Sequence, residues 1–278
     1  MTVRSRAAAM TLLGMLAAVA VASSPVRGAE SLANAHAHND YWHERPLLDA
    51  LDRGFTSVEA DVFLVDGRLL IGHDRDELRP DRTLESLYLA PLARRVQQNG
   101  NRVFPKGERF FLLVDIKSDA QAAYEQLRKV LTDYADMLTV VNGGKVRPGA
   151  VTVVVTGNRP RGEPAEATHR YFGLDGRMSD LDSDVPAHFM PMISDNWTSH
   201  FTWNGDGPMP ASERAKLQEI VSKAHAAKRV IRFWATPENE SVWRELRSAG
   251  VDLIGTDQLD RLAAFLRADA DNSTHRQD

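Results

Sequence analysis

His36–Asp74 reads HAHNDYWHERPLLDALDRGFTSVEADVFLVDGRLLIGHD. Its opening closes one strand, which the sequence predicts over Ser31 to His38. Pro46 to Arg53 follows as a short helix, with proline near its start and Gly54 just past its end. Phe55 to Val62 is a second strand. In its last five residues, Val58 to Val62, apolar side chains alternate with Glu59 and Asp61. Residues two apart on a strand share a face, so the two carboxylates project side by side. Two acids turned into a protein interior are costly unless something positive meets them. Mg²⁺ or Ca²⁺, which prefers oxygen ligands, is the simplest partner.

Asp66-Gly67 marks a tight hairpin after the second strand. Its return arm, Arg68 to Ile71, leads to His73-Asp74. Metal-binding acids flanked by His38 and His73 suit the cleavage of a phosphodiester: the metal neutralises phosphate oxygens, one imidazole accepts a proton and the other donates one. An ideal ladder would turn His73 away from Glu59. The reading therefore requires a bulge, or a His73 that lies just past the ladder.

The 278 residues suffice for one large core, and an α/β barrel of this size is ordinary as a single domain. A net charge of −4 gives no reason to expect nucleic acid, and the lack of cysteine excludes disulfides and thiolate metal sites. Residues 1–22 read as a secretory signal: Arg4 and Arg6 precede the uncharged run Ala7 to Ala22, which ends in a small-x-small cleavage pattern. Losing both arginines takes the mature charge to −6. The expectation is a periplasmic or secreted protein.

The remaining chain alternates strands and helices. Strands are expected at Phe110 to Ile116, Val151 to Val155, Tyr171 to Leu174, Phe189 to Ile193, Val230 to Trp234 and Val251 to Gly255. Helices are expected at Thr83 to Gln98, split or kinked by Pro91, then Ala120 to Leu138, Ser212 to Ala227, Pro237 to Ser248 and Leu259 to Arg267. VTVVV, residues 151–155, does not alternate with polar residues and reads as a strand buried on both faces. Eight strands in alternation imply a parallel sheet, closed as a (β/α)8 TIM barrel over 31–268, with a disordered polar tail at 269–278. Polar residues collect at the strand ends, including Asp115, Lys117, Ser194, Trp234 and Asp257, where barrel enzymes hold their chemistry.

Several pieces together resemble a known superfamily. They are His38-Asn39-Asp40, Gly54 before Ser57-Val58-Glu59-Ala60-Asp61-Val62, Gly72-His73-Asp74, Leu113-Val114-Asp115-Ile116-Lys117, Arg232-Phe233-Trp234, and Gly250 to Asp257. The chain resembles the phospholipase C-like phosphodiesterases: glycerophosphodiester phosphodiesterases, phosphatidylinositol-specific phospholipases C and sphingomyelinases D. HNDYW and Thr83 to Tyr88 resemble most closely the branch named after the altered-inheritance-of-mitochondria protein. The resemblance implies a TIM barrel that binds one divalent cation, Mg²⁺ or Ca²⁺, through Glu59, Asp61 and Asp115. It implies His38 and His73 as catalytic residues, and Lys117, Asn39 and Trp234 as contacts of a phospholipid or phosphodiester substrate. Attack on phosphorus would come from a neighbouring hydroxyl, giving a cyclic phosphate, or from water. Two departures bear on the substrate: His-Asn-Asp replaces the His-Arg-Gly of glycerophosphodiesterases, and their Glu-Asn-Thr is absent.

Two other readings stand beside this one. His36-Ala37-His38 is also an HxH metal pair of the amidohydrolase type. The barrel could also bind head groups without catalysis. Trp197, Phe201 and Trp203 either make a transient membrane-surface contact or pack over the barrel mouth.

Overall fold

The computed structural model describes residues 30–106, 109–159 and 169–274. The expected signal segment, 1–22, lies outside them. Eight parallel strands form a closed ring: β1 (Leu32–Ala37), β2 (Phe55–Val65), β3 (Phe110–Ile116), β4 (Val151–Gly157), β5 (Phe172–Gly176), β6 (Met192–Asn196), β7 (Val230–Trp234) and β8 (Leu253–Thr256). Each pairs with the next, and β8 pairs with β1 to close the barrel. Helices α1 (Leu48–Asp52), α2 (Ala90–Gln98) and α3 (Ala120–Thr132) follow β1, β2 and β3. Helices α4 (Ala211–Ala226), α5 (Glu240–Ala249) and α6 (Leu259–Thr274) follow β6, β7 and β8. The expected TIM barrel is the observed one.

Alternation along the strands builds two cores. Val58, Ala60 and Val62 of β2, with Leu112 and Val114 of β3, face outward onto the helices in the main core. Phe111, Leu113, Val154, Met192 and Leu253 form a separate inner cluster, contributed by β3, β4, β6 and β8. That cluster fills the barrel and floors the site. Continuing the same parity toward the carboxyl ends, the next inward positions are polar: Glu59, Asp61, Asp115, Thr156, Ser194 and Arg232. Asp61, Asp115 and Thr156 stand at one level on adjacent strands.

Several boundaries differ from expectation for physical reasons. The sixth strand begins at Met192, because Pro191 has no N–H to give a ladder. Thr83 to Gln98 is not one α-helix: Glu85–Leu89 form a π turn and Pro91 occupies the first turn of α2. The wider turn accommodates a proline that would otherwise strike the preceding carbonyl. Asn142-Gly143-Gly144 turns a small hairpin, Val140–Asn142 with Lys145–Arg147. Helix α6 runs to Thr274, into the stretch expected to be a disordered tail, and Asp269 is tied to Arg247 of α5 at 2.9 Å. The aromatic cluster is packed, not presented to lipid. Trp197 and Phe201 stack with centroids 4.1 Å apart, and Trp197 Nε1 donates to the Trp203 carbonyl.

Between β5 and β6 the described chain forms only a 3₁₀ turn, Met178–Asp180. The buried Arg229 organises this connection by donating to the carbonyls of Asp180, Ser183 and Val185 at 2.7, 2.8 and 2.6 Å.

Candidate metal and phosphodiester site

Glu59, Asp61 and Asp115 converge at the carboxyl end of the barrel. Each offers one oxygen, and the three lie within 4.8 Å of one another; among the described residues no other group of acids and histidines is so arranged. Burial and neighbouring charges divide them. Burial would raise Glu59, but Arg232, with Nη2 at 2.9 Å, and the neighbouring His36 and His38 together outweigh it and hold this carboxyl far below the usual range. Burial raises Asp61 despite Lys117 at 3.2 Å. Burial also pushes Asp115 up to about 6, although Lys117 lies 3.3 Å away. Asp115 Oδ1 is buried with no hydrogen-bond partner. A Cβ on Gly157 would stand 2.0 Å from that oxygen, so only glycine leaves the carboxylate where it is.

These residues fit a hard divalent cation. The donors are all carboxylate oxygens, one is unsatisfied, and the excess negative charge of the cluster is only partly balanced by Lys117 and Arg232.

The two histidines flank this cluster. The hairpin from β2 pairs Val62 with Ile71 and Val65 with Arg68, and the ladder ends there. His73 lies just past it, as the reading required, and its Nδ1 is 3.1 Å from Asp61 Oδ2. His38 follows β1. Its Nδ1 is 2.8 Å from Asp257 Oδ1, and its Nε2 is 3.8 Å from Glu59 Oε2. Burial lowers the His38 pKa, but the bond to Asp257 and the charge of Glu59 outweigh it, so the net direction is upward. Each imidazole thus rests its Nδ1 against a carboxylate, which leaves Nε2 for chemistry. The His73 ring is 45% exposed.

Lys117 reaches Asp61 and Asp115 from the end of β3, where it can meet a phosphate bound at the cluster. Trp234, 38% exposed, stands on the rim and lines a cavity of about 150 Å³ with His38, Asp257 and Glu238. Asn39 is placed differently from its expected contact with substrate. It is buried, and its amide is engaged at both ends: Oδ1 accepts from Tyr41 at 2.8 Å, and Nδ2 donates to Asp257 at 3.3 Å, with His38 Nδ1 3.0 Å away.

The HxH pair of the amidohydrolase reading is not formed as a metal site. His36 is fully buried, its Nδ1 is bonded to Ser57 at 2.7 Å, and burial followed by Arg232 lowers its pKa to about 4. It is a neutral wedge behind Glu59, 3.6 Å away.

Sequence reasoning did not assign Tyr41, Arg232 or Asp257 to the site. Tyr41 OH donates to Asp61 Oδ2 at 2.8 Å and lies 3.2 Å from His73 Nδ1. Burial and Asp61 push its phenol far up, so it keeps its proton. The only signal for Tyr41 was its position three residues after His38. Asp257 was visible as a polar strand end, and Arg232 as an inward position by parity. Trp42, also unassigned, is 53% exposed and lies over His73 with centroids 5.4 Å apart.

Residues 30–172 match the family model of the AIM6-like phosphodiesterase domain, and residues 230–260 match that of the glycerophosphoryl diester phosphodiesterase family. The chain is 28% identical to an altered inheritance of mitochondria protein 6 homolog from Arthroderma benhamiae, covering 83% of this chain and 82% of that one. It is 30% identical to altered inheritance of mitochondria protein 6 from Eremothecium gossypii, covering 84% and 69%. Among solved structures, a glycerophosphodiester phosphodiesterase from Parabacteroides distasonis superposes with a TM-score of 0.52 at 15% identity, over 87% of this chain and 99% of that one.

Proposed function

Because the chain belongs to the AIM6-like phosphodiesterase domain family, we propose that it is a divalent-cation-dependent phosphodiesterase acting on a phospholipid or a glycerophosphodiester-type ester. The observation that carries this is the convergence of Glu59, Asp61 and Asp115 between two histidines whose Nδ1 atoms are each held by a carboxylate. Mg²⁺ or Ca²⁺ at the three acids would supply charge neutralisation at the phosphate oxygens. Lys117 adds a fixed positive charge beside them. One imidazole takes the proton of the attacking oxygen as the new P–O bond forms. The other returns a proton to the leaving oxygen as the old P–O bond breaks. Where the substrate carries a neighbouring hydroxyl, that hydroxyl is the attacker and the product is a cyclic phosphate.

The exposed indoles of Trp42, in the 3₁₀ turn after β1, and Trp234, the last residue of β7, stand at the carboxyl end of the barrel. They support substrate contact there, including transient contact with a membrane surface. The basic start and uncharged run of residues 1–22 support action outside the cytoplasm after cleavage.

Phosphorus NMR tests the reading. The protein is offered a lysophospholipid, sphingomyelin, a phosphoinositide and a glycerophosphodiester, with Mg²⁺ or Ca²⁺ and with a chelator. We expect at least one to be cleaved, only with the cation. Glu59→Gln and His73→Ala should each reduce the rate by about 10² or more with the circular dichroism spectrum unchanged. Turnover that survives both substitutions, or the chelator, overturns the assignment.

A further inference from the structure

Two residues lie between the histidines and are not needed to move a proton. Asn39 has a left-handed backbone, with φ 46° and ψ 38°, a conformation asparagine tolerates better than other side chains do. This bend, followed by the 3₁₀ turn Asp40–Trp42, brings the side chains of Asn39 and Tyr41 into contact. The hydrogen-bond roles then follow from which groups carry protons. Asp257 only accepts, so His38 donates to it from Nδ1–H. That nitrogen has no lone pair left for Asn39, so Asn39 Nδ2 donates to Asp257 Oδ1 at 3.3 Å. The amide carbonyl must then face Tyr41, whose O–H donates to it at 2.8 Å. Asp61 Oδ2 stands at the same 2.8 Å from that hydroxyl and also supplies no proton. His73 closes the chain, with Nδ1 3.2 Å from the tyrosine oxygen and 3.1 Å from Asp61.

We propose that Asn39 and Tyr41 are positioning residues, a two-residue bridge that sets the orientation of both histidines together. One hydroxyl proton serves two acceptors, so whatever draws it toward Asp61 releases Asn39, and through Asn39 the pair Asp257–His38. The two rings are joined through side chains that are themselves buried. The catalytic meaning of the bridge rests on the phosphodiesterase reading, but its existence does not, and the test needs neither substrate nor cation.

The experiment is long-range ¹H–¹⁵N NMR of the full chain with ¹⁵N-labelled histidine, free of added cation, at about pH 9, above the ordinary range of free histidine. The wild type should show both His38 and His73 as single Nδ1–H tautomers. Tyr41→Phe keeps the packing volume and removes one hydroxyl. It should shift the ring nitrogens of His73, its neighbour, and also those of His38, which Tyr41 does not touch, with a second tautomer emerging at His38. Asn39→Gly accepts the left-handed backbone and removes the amide. It should perturb His38 likewise, and in its background Tyr41→Phe should have no further effect there. A purely structural tyrosine would move His73 alone. A His38 spectrum unmoved by Tyr41→Phe overturns the bridge, as does an effect at His38 that persists in the Asn39→Gly background. Should Tyr41→Phe fail to fold, Asn39→Gly read at His73 decides, and an unmoved His73 overturns it.

Discussion

Asp115 opposes folding and serves the site. Its folded pKa of about 6 lies above the ordinary 3.8, chiefly through burial, so the fold prefers the proton. This preference stabilises the protein fully below about pH 4 and is lost as pH rises through about 6, where the carboxylate must be charged in place. Asp115→Asn keeps the shape and removes that penalty. We expect the cation-free variant to be more stable at pH 7.5 by on the order of 1–3 kcal/mol, with little gain near pH 4. Cation affinity should fall at least about tenfold, since a ligand must be deprotonated to bind. Thermal melts at the two pH values and calorimetric titration with Mg²⁺ and Ca²⁺ check both halves. An equal or lower melting temperature at pH 7.5 contradicts the first. At this scale the sequence was informative where parity alone decides: Glu59 and Asp61 share a face because they are two apart. Tyr41 and Asp257 were harder to place, because a period of two says which way a side chain points and not what it meets 20 or 219 residues away.

Among the described elements, the connection from β5 to β6 carries only a 3₁₀ turn, and Arg229 compensates. Its guanidinium donates to three carbonyls at 2.8 Å or less, at a place where a barrel ordinarily packs a helix. Arg229→Met retains bulk and leaves those carbonyls without a charged donor, so we expect a loss of about 2–4 kcal/mol in denaturant unfolding. The cation affinity of the folded fraction should be unchanged, because Arg229 sits at the start of β7 and Arg232 at the site level. A change below about 0.5 kcal/mol would show that water replaces it. All eight strands were legible from apolar runs and their flanking turns. The π turn before Pro91 was not, since proline announces an interruption without specifying its form. Of the expected disordered tail, 269–278, residues 269–274 are helical and 275–278 lie outside the described residues; polarity suggested fraying, whereas Asp269 finds Arg247 on a helix it does not adjoin in sequence.

In the whole molecule, the barrel is closed by β8 meeting β1, and both flanks of the site depend on that closure. A chain ending at Gly250 would lack β8 and α6, exposing the edges of β1 and β7 and removing Leu253 from the inner cluster. We expect it to show no cooperative unfolding transition by circular dichroism and to be degraded rapidly by protease; a sigmoidal melt would refute this. The seam has a further consequence. His38 follows the first strand of the barrel and Asp257 the eighth, so the two meet only after all eight strands have been made. A chain interrupted during synthesis carries every acid of the cluster yet lacks the partner that orients its first histidine. The orientation of that histidine is thus tied to completion of the barrel, the last step in assembling the proposed site.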